Sequence, residues 1–326
     1  MLKRFVFDQE DRPGAAWAAR FDAGRDAALQ WYCGQGLAPP PTAAECRAAL
    51  ARHMPELLEP YDRACTLVGD DEIAHCILSH YRPPPVRHGC SQAVWLGPDG
   101  PALVRNYDFP PQIATGRFEL TCWSGRRVIA TAQRPWGGCY DGMNEDGLAA
   151  SMTYGGSDAQ GLGFSILLLM RYVLETCTTV ADGIEALRGI PVALSQNVTL
   201  LDRTGAYATL FIGPGRDCAV SRDPVCTNHQ DLPAGPLTKR LTNSVHRRET
   251  LLAALDEPGL TLPDLTARLL QPPLYSRRAN SATVYSAIYR PAAGSVDYLW
   301  PGETRPQSFD RFEPGAYVHD FGALTA

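Results

Sequence analysis

No two cysteines of this chain stand in a Cys-x-x-Cys arrangement, although there are ten of them. Spread over 326 residues, they do not form the dense framework of a short secreted domain. Long basic runs are also missing, and the net charge is −5. That removes the electrostatic footprint of a nucleic-acid binder. The longest apolar runs, Ile166 to Met170 among them, are far shorter than the roughly 20 residues of a bilayer span. The first twenty positions mix acidic and basic side chains and have no apolar run of h-region length, so they do not read as a secretory signal. No Gly-rich loop precedes a helix and no basic cluster suits coenzyme A phosphates, so neither a nucleotide cofactor nor a metal is expected. Repeats and low-complexity tracts are absent too. The expectation is a soluble, cytoplasmic protein with no membrane and no nucleic-acid partner; oligomeric state is not legible.

The hydrophobic fraction of 45% is ample for a large core, and one or two domains fit the length. A first segment, to about Tyr81, reads as helical. Thr42 followed by Glu45 is a capping box, and Cys46, Leu50, Met54, Leu57 and Leu58 then recur at helical spacing before Pro60. A further helix is expected from Ile73 to Ser79. Three consecutive prolines then break the pattern at Pro83, Pro84 and Pro85. They favour an extended linker running to Gly89, the kind of place where a chain is nicked.

Beyond the linker the pattern turns to hairpins. Ala93–Leu96 and Ala102–Tyr107 flank Gly97-Pro98-Asp99-Gly100, and Glu119–Trp123 and Arg127–Thr131 flank Ser124-Gly125. Leu148–Tyr154 follows Asn144-Glu145-Asp146-Gly147. Val198–Asp202 and Ala206–Ile212 form one more pair, Thr283–Tyr289 and Val296–Trp300 another. Helices are expected over Phe164–Thr178, Val180–Arg188 and Ser244–Leu255. Hairpin groups with helices between them indicate layered α+β rather than a parallel fold.

Most cysteines, among them Cys33, Cys46, Cys65, Cys122, Cys177 and Cys218, read as small buried hydrophobes. Cys90 differs in its neighbours. It follows Gly89 at the end of the linker and opens the first hairpin. A glycine leaves its own carbonyl open to attack and tolerates strained backbone angles. Attack of the Cys90 sulfur there gives a thioester, and water then releases a new amino terminus on Cys90. An α-amine titrates near 7.7–8.0 and a thiol near 8.5, roughly, so the pair shares a proton around neutrality and the cysteine carries its own base. Arg105-Asn106-Tyr107-Asp108-Phe109 lies on the second strand of that hairpin. The period of two puts Arg105 and Tyr107 on one face and Asn106 and Asp108 on the other. Arg105 would lower the thiol pKa and Asp108 would hold the amine; on spacing alone the two also fit a surface ion pair.

The run Gly89-Cys90-Ser91-Gln92-Ala93-Val94-Trp95 with Arg105-Asn106-Tyr107-Asp108-Phe109 resembles the acyl-coenzyme A:6-aminopenicillanic acid acyltransferase family. More distantly it is similar to the choloylglycine hydrolase and penicillin V acylase group. The likeness continues at Tyr140-Asp141-Gly142-Met143-Asn144-Glu145-Asp146-Gly147-Leu148, at Gln196-Asn197-Val198-Thr199-Leu200-Leu201-Asp202 and at Thr227-Asn228-His229. The resemblance implies a cysteine N-terminal-nucleophile (Ntn) hydrolase with a four-layer αββα sandwich. It implies a leader, residues 1–89, cut off but retained, and a catalytic core, residues 90–326. Cys90 matches the nucleophile, Arg105 and Asp108 the residues beside it, and Asn197 an oxyanion-hole asparagine. Arg247 or Arg248 matches a helix arginine near the site. Thr153 stands where hydrolase relatives carry asparagine, which leaves the main-chain N–H of Thr153 or Tyr154 as a second donor. The activity implied is hydrolysis of a linear amide of a small N-acyl substrate through an acyl-Cys90 thioester. Acyl transfer to an amine and an inactive binding protein of the same fold are the alternatives.

Two other chemistries compete for Cys90. A papain-like pair needs a histidine, and His88, His229 and His246 are the candidates. A zinc site could draw on Cys76, His80, His88 and Cys90, although that spacing matches no common structural pattern. Asn228-His229 reads as a turn or a strand end without a catalytic step.

Overall fold

The computed structural model describes residues 1–34, 40–86, 89–133, 137–230 and 243–325. Strand β1 (Leu2–Gln9) opens the chain and is followed by helices α1 (Ala15–Cys33), α2 (Ala43–His53), α3 (Leu58–Val68) and α4 (Glu72–Leu78). The Thr42–Glu45 capping box forms, with each side chain bonded to the other residue's main-chain N–H. Pro60 lies in the first turn of α3, where a missing N–H costs no helical bond. The helical expectation for this segment fails at its start. In Leu2–Gln9 the inward Phe5 and Phe7 alternate with more exposed residues, which is a strand's period.

Among the described residues two sheets make the body, and their strands are counted over those residues. The larger has nine strands, in the order β10 (Ala219–Ser221), β9 (Tyr207–Ile212), β8 (Gln196–Asp202), β7 (Leu148–Tyr154), β6 (Gly138–Asn144), β5 (Val128–Gln133), β4 (Arg117–Thr121), β1 and β15 (Gly315–Asp320). The smaller has six, in the order β11 (Val225–Cys226), β2 (Gly89–Gly97), β3 (Gly100–Phe109), β12 (Ala282–Arg290), β13 (Ser295–Trp300) and β14 (Glu303–Ser308). The leader strand β1 is interior to the larger sheet, parallel to β4 and antiparallel to β15.

Helices α5 (Ile166–Thr176) and α6 (Val180–Arg188) pack on the larger sheet, while α7 (Ser244–Leu255) and α8 (Leu262–Leu269) pack on the smaller one. Strands β2 and β3 face β7 and β8 across the interior. The result is the four-layer αββα sandwich. The principal core fills the space between the sheets with Phe118, Tyr285, Tyr298 and Trp300 among its largest members. A second cluster lies between the smaller sheet and α7 and α8. Of the cysteines expected to be buried, Cys46 and Cys177 are, Cys65, Cys122 and Cys218 are half-buried, and Cys33 is exposed at the end of α1.

Candidate active site

Cys90 enters the structure as the second residue of β2, opposite Tyr107 of β3, with Gly89 opposite Asp108. The glycine is required by space. A Cβ there would lie 2.9 Å from Ser281 Oγ and 3.1 Å from Asp108 Cβ. The Gly89–Cys90 peptide is thereby pressed against the carboxylate side of β3.

The alternation expected for β3 determines what surrounds the sulfur. Arg105 and Tyr107 point between the sheets, and one guanidinium nitrogen of Arg105, Nη2, donates to Cys90 Sγ at 3.2 Å. Its Nη1 donates to Tyr140 O and to Ser151 Oγ, each at 3.2 Å. Asp141 stands 3.4 Å from that nitrogen. Asp141 is in turn held by Tyr285 Oη at 2.5 Å and Tyr289 Oη at 2.8 Å. Arg105 is therefore fixed by a buried anion on one side and aimed at the thiol on the other.

Asp108, on the opposite face, accepts from Thr283 Oγ1 at 2.7 Å and from Arg247 Nη1 at 3.3 Å. The surface ion pair is thus overturned: Arg105 and Asp108 are buried and each has a different charged partner. Arg247 also donates to Ser91 Oγ and, at 2.6 Å, to Asn228 Oδ1. Arg248, one position on along α7, turns away to Asp223. Of the two arginines, Arg247 is the one in the site.

Burial dominates the electrostatics here. It pushes the Cys90 thiol up to about 11, against the pull of Arg105. It also raises the Asp108 carboxyl to about 6, although Arg247 and Thr283 favour its charged form. Burial lowers the Arg247 pKa, opposed by Asp108. At neutral pH the Cys90 sulfur is therefore a protonated thiol, buried beside the Arg105 guanidinium.

The residue that sequence reasoning missed is Asn228. Its Oδ1 accepts the Cys90 N–H at 2.9 Å, so it grips the nitrogen that the cut would turn into the α-amine. Asn228 follows the short strand β11, which pairs with β2 through Cys226 and Gln92. Nothing near it in sequence announces this contact, which only the three-dimensional return of residues 225–229 beside β2 creates.

Asn197 lies one step further away. Its Nδ2 donates to Thr227 O at 2.9 Å and Thr153 Oγ1 at 3.0 Å, with His229 O at 3.4 Å and Tyr154 O at 3.5 Å. Thr153 Oγ1 itself donates to Thr227 O at 2.8 Å. Asn197 and Thr153 together pin the segment that carries Asn228. Tyr154 directs its hydroxyl to Asp158 at 3.1 Å.

Of the competing histidines, His229 meets Ser244 Oγ at 2.7 Å and Thr227 Oγ1 at 3.3 Å through Nδ1. His246 is exposed on α7. Cys76 donates its S–H to Pro41 O at 3.2 Å, and His88 lies outside the described residues. Among the described residues no group of three or more His, Cys, Asp or Glu side chains could hold a metal, and no helix is long and apolar enough to cross a membrane.

The architecture is that of the Ntn-hydrolase fold. The acyl-coenzyme A:6-aminopenicillanic acid acyltransferase family matches residues 95–305, and the chain belongs to that family. No curated protein matches it in a sequence search. Among solved structures, a variant of the conjugated bile acid hydrolase from Clostridium perfringens is similar, with TM-score 0.51, 14% identity and coverage of 73% of this chain and 99% of the other. The Caenorhabditis elegans ortholog of N-acylethanolamine-hydrolyzing acid amidase gives TM-score 0.50 and 14% identity over 71% of this chain and 100% of its own. At such identities the likeness carries the fold.

Proposed function

We propose that the chain cuts its own Gly89–Cys90 bond and then hydrolyses a linear amide of a small N-acyl substrate through an acyl-Cys90 thioester. One observation carries the reading. Cys90 has its sulfur on the Arg105 guanidinium at 3.2 Å and its nitrogen on Asn228 at 2.9 Å, directly behind a glycine. In the first reaction the sulfur adds to the Gly89 carbonyl, the carbonyl–nitrogen bond breaks and the nitrogen takes up the thiol's proton. Water then cleaves the thioester, leaving a Gly89 carboxylate and a Cys90 amine. Before the cut that nitrogen is an amide and no base. The nearest carboxylate is Asp108, whose pKa near 6 lets it accept a proton around neutrality.

In the cut enzyme the α-amine takes over as base, held by Asn228 and close to Asp108. The sulfur adds to the substrate carbonyl, the amine passes the thiol proton to the departing nitrogen, and water releases the acid. Asn197 supports the site by holding Thr227, and its amide becomes an oxyanion donor only on turning away from that carbonyl. The insertion of β1 between β4 and β15 supports retention of the released leader, since its main-chain hydrogen bonds survive the cut. A second reading, transfer of the acyl group to a bound amine, draws on the acyltransferase for which the family is described.

The test is intact mass and N-terminal sequencing of the purified protein. From 35.5 kDa, a cut after residue 89 of 326 gives copurifying pieces of about 10 and about 26 kDa, the larger beginning Cys-Ser-Gln. A fully active chain lacking that terminus refutes self-processing. Incubation with N-acyl amides, with and without an added amine, should place an acyl adduct on Cys90 and release free acid. Capture of most of the acyl group by millimolar amine, against water at about 55 M, decides for transfer.

A further inference from the structure

A chain of buried polar side chains crosses the space between the two sheets and ends on Arg105. Gln92 stands two residues beyond Cys90 on β2 and directly opposite Arg105 of β3, so the three side chains share the inward face. Its Nε2 donates to Thr199 Oγ1 of β8 at 2.6 Å, and its Oε1 accepts from Ser151 Oγ of β7 at 2.6 Å. Thr199 Oγ1 also meets Thr209 Oγ1 of β9 at 2.7 Å. At the other end, Ser151 Oγ accepts from Arg105 Nη1 at 3.2 Å, and Arg105 Nη2 donates to Cys90 Sγ. Every member is buried.

The polarity of the chain is fixed from end to end. A guanidinium carries donors only, so it can use a hydroxyl only through an oxygen lone pair. Ser151 offers that lone pair because its own proton goes to Gln92 Oε1. Gln92 presents Oε1 there because the amide's other end is bound to Thr199. With the amide reversed, Ser151 would accept from both neighbours and its proton would lose this acceptor. Arg105 depends on the setting, since among the described residues its Nε has no hydrogen-bond partner and the fork is held by its two Nη groups. Nη1 is shared by Tyr140 O, Ser151 Oγ and, at 3.4 Å, Asp141. Of these, Ser151 is the acceptor whose direction Gln92 controls. Core stability does not account for such a chain, because an apolar filling of the same shape is close to neutral by comparison.

We propose that Gln92 is a positioning residue: it sets the Ser151 hydroxyl as an acceptor for Arg105 and so keeps the Arg105 fork turned toward Cys90 Sγ. The inference rests on the role proposed above for Cys90 and deepens it. Gln92 touches neither the sulfur nor the bond to be cut, and its whole effect passes through Ser151.

The test is a double-mutant cycle on the cut enzyme. Gln92→Met keeps the length of the side chain and removes both polar ends, and Ser151→Ala removes the hydroxyl. Each is read by the pH midpoint of iodoacetamide labelling at Cys90, by turnover of an N-acyl amide and by thermal unfolding. Gln92→Met should label roughly 3- to 10-fold more slowly at pH 7, the loss expected for one hydrogen bond, with its midpoint moved upward. Ser151→Ala should do at least as much. The double variant should be no slower than Ser151→Ala, because the two residues act as one unit. Gln92→Glu still offers an oxygen to Ser151 and should restore most of the turnover, which separates positioning from a fault in folding. Failure of Gln92→Met to cut itself while Gln92→Glu cuts is the same result in a stronger form. A Gln92→Met midpoint equal to the parent's, losses that multiply in the double variant, or two uncut Gln92 variants beside a cut Ser151→Ala would overturn the inference and leave the hydrolase reading standing. A parent chain that is neither cut nor acylated sinks both.

Discussion

Cys90 and Cys139 belong to the same hydrophobic cluster, and neither exposes any surface. Burial keeps both thiols protonated, pushing Cys139 up to about 12 and Cys90 to about 11. The one-unit difference is too small to make one a nucleophile and the other inert. What separates them is position. Both follow a glycine, but Cys90 has a guanidinium on its sulfur and an asparagine on its nitrogen, whereas Cys139 lies within β6 behind Gly138. In the proposed chemistry, thiol acidity is not the advantage of Cys90 before the cut. The advantage lies in how its backbone is held, and the cut would then add a base that no interior cysteine has.

The largest effect should come from exchanging the two. Cys90→Ala should abolish both self-cutting and amide hydrolysis while the uncut chain remains folded, since only one sulfur is lost. Cys139→Ala should be cut normally and keep its turnover, at a stability cost of about 1 kcal/mol for a small buried side chain. Intact mass, turnover and thermal unfolding measured on both variants check this. A cut or active Cys90→Ala chain would remove the assignment.

Much of this comparison was legible in the sequence, for reasons specific to each residue. The Pro83–Pro85 break, the glycine before Cys90 and the period of two in β3 rest on local rules, and the structure bears out the faces they assign. Val180–Arg188 falls on the expected boundaries because its capping box and amphipathic spacing are local too; Ser244–Leu255 also falls where expected, although no side chain caps it. The strand at Leu2–Gln9 was not legible as part of the sheet. Its partners are residues 117–120 and 315–320, and nothing near it in sequence announces them. Asn228 was missed for the same reason, since its contact with Cys90 spans 138 positions. Arg247 and Arg248 could be separated only once the phase of α7 was known.

A second contrast lies across β3, between the carboxylate beside Gly89 and the anion behind Arg105. Asp108 titrates near 6 in the folded chain, against about 3.9 for a free aspartate. If its charged form drives the cut, the rate should rise about tenfold per pH unit below 6 and level off above it. Asp108→Asn should slow the cut by roughly 10²-fold and lose that acid limb. Stability moves the other way. A folded pKa above the unfolded value contributes stability that is complete below about pH 4 and lost as pH rises through 6. The parent-minus-variant difference should therefore shrink by about 3 kcal/mol across that window. Matching cutting profiles for parent and variant would end the role of Asp108.

The smallest effect tests whether Arg105 acts by charge alone or by the direction of its fork. Its Nη2 meets Cys90 Sγ while Nη1 meets Tyr140 O and Ser151 Oγ, with Asp141 at 3.4 Å. Lysine keeps the positive charge that Asp141 needs, so Arg105→Lys should fold. A single ammonium does not satisfy Asp141, two oxygens and a sulfur in those directions at once. The donor to sulfur is the contact expected to go, and the thiolate then loses stabilisation. Its pKa rises, so at fixed pH the thiolate fraction falls. Iodoacetamide labelling of Cys90 in the cut enzyme should slow by roughly 3- to 10-fold at pH 7, the equivalent of one weak hydrogen bond, and its pH midpoint should move upward. Buried Cys139 should stay unlabelled in both proteins and report that the fold is intact. An unchanged labelling profile would mean that charge suffices and that the fork directed at the sulfur contributes nothing to its reactivity.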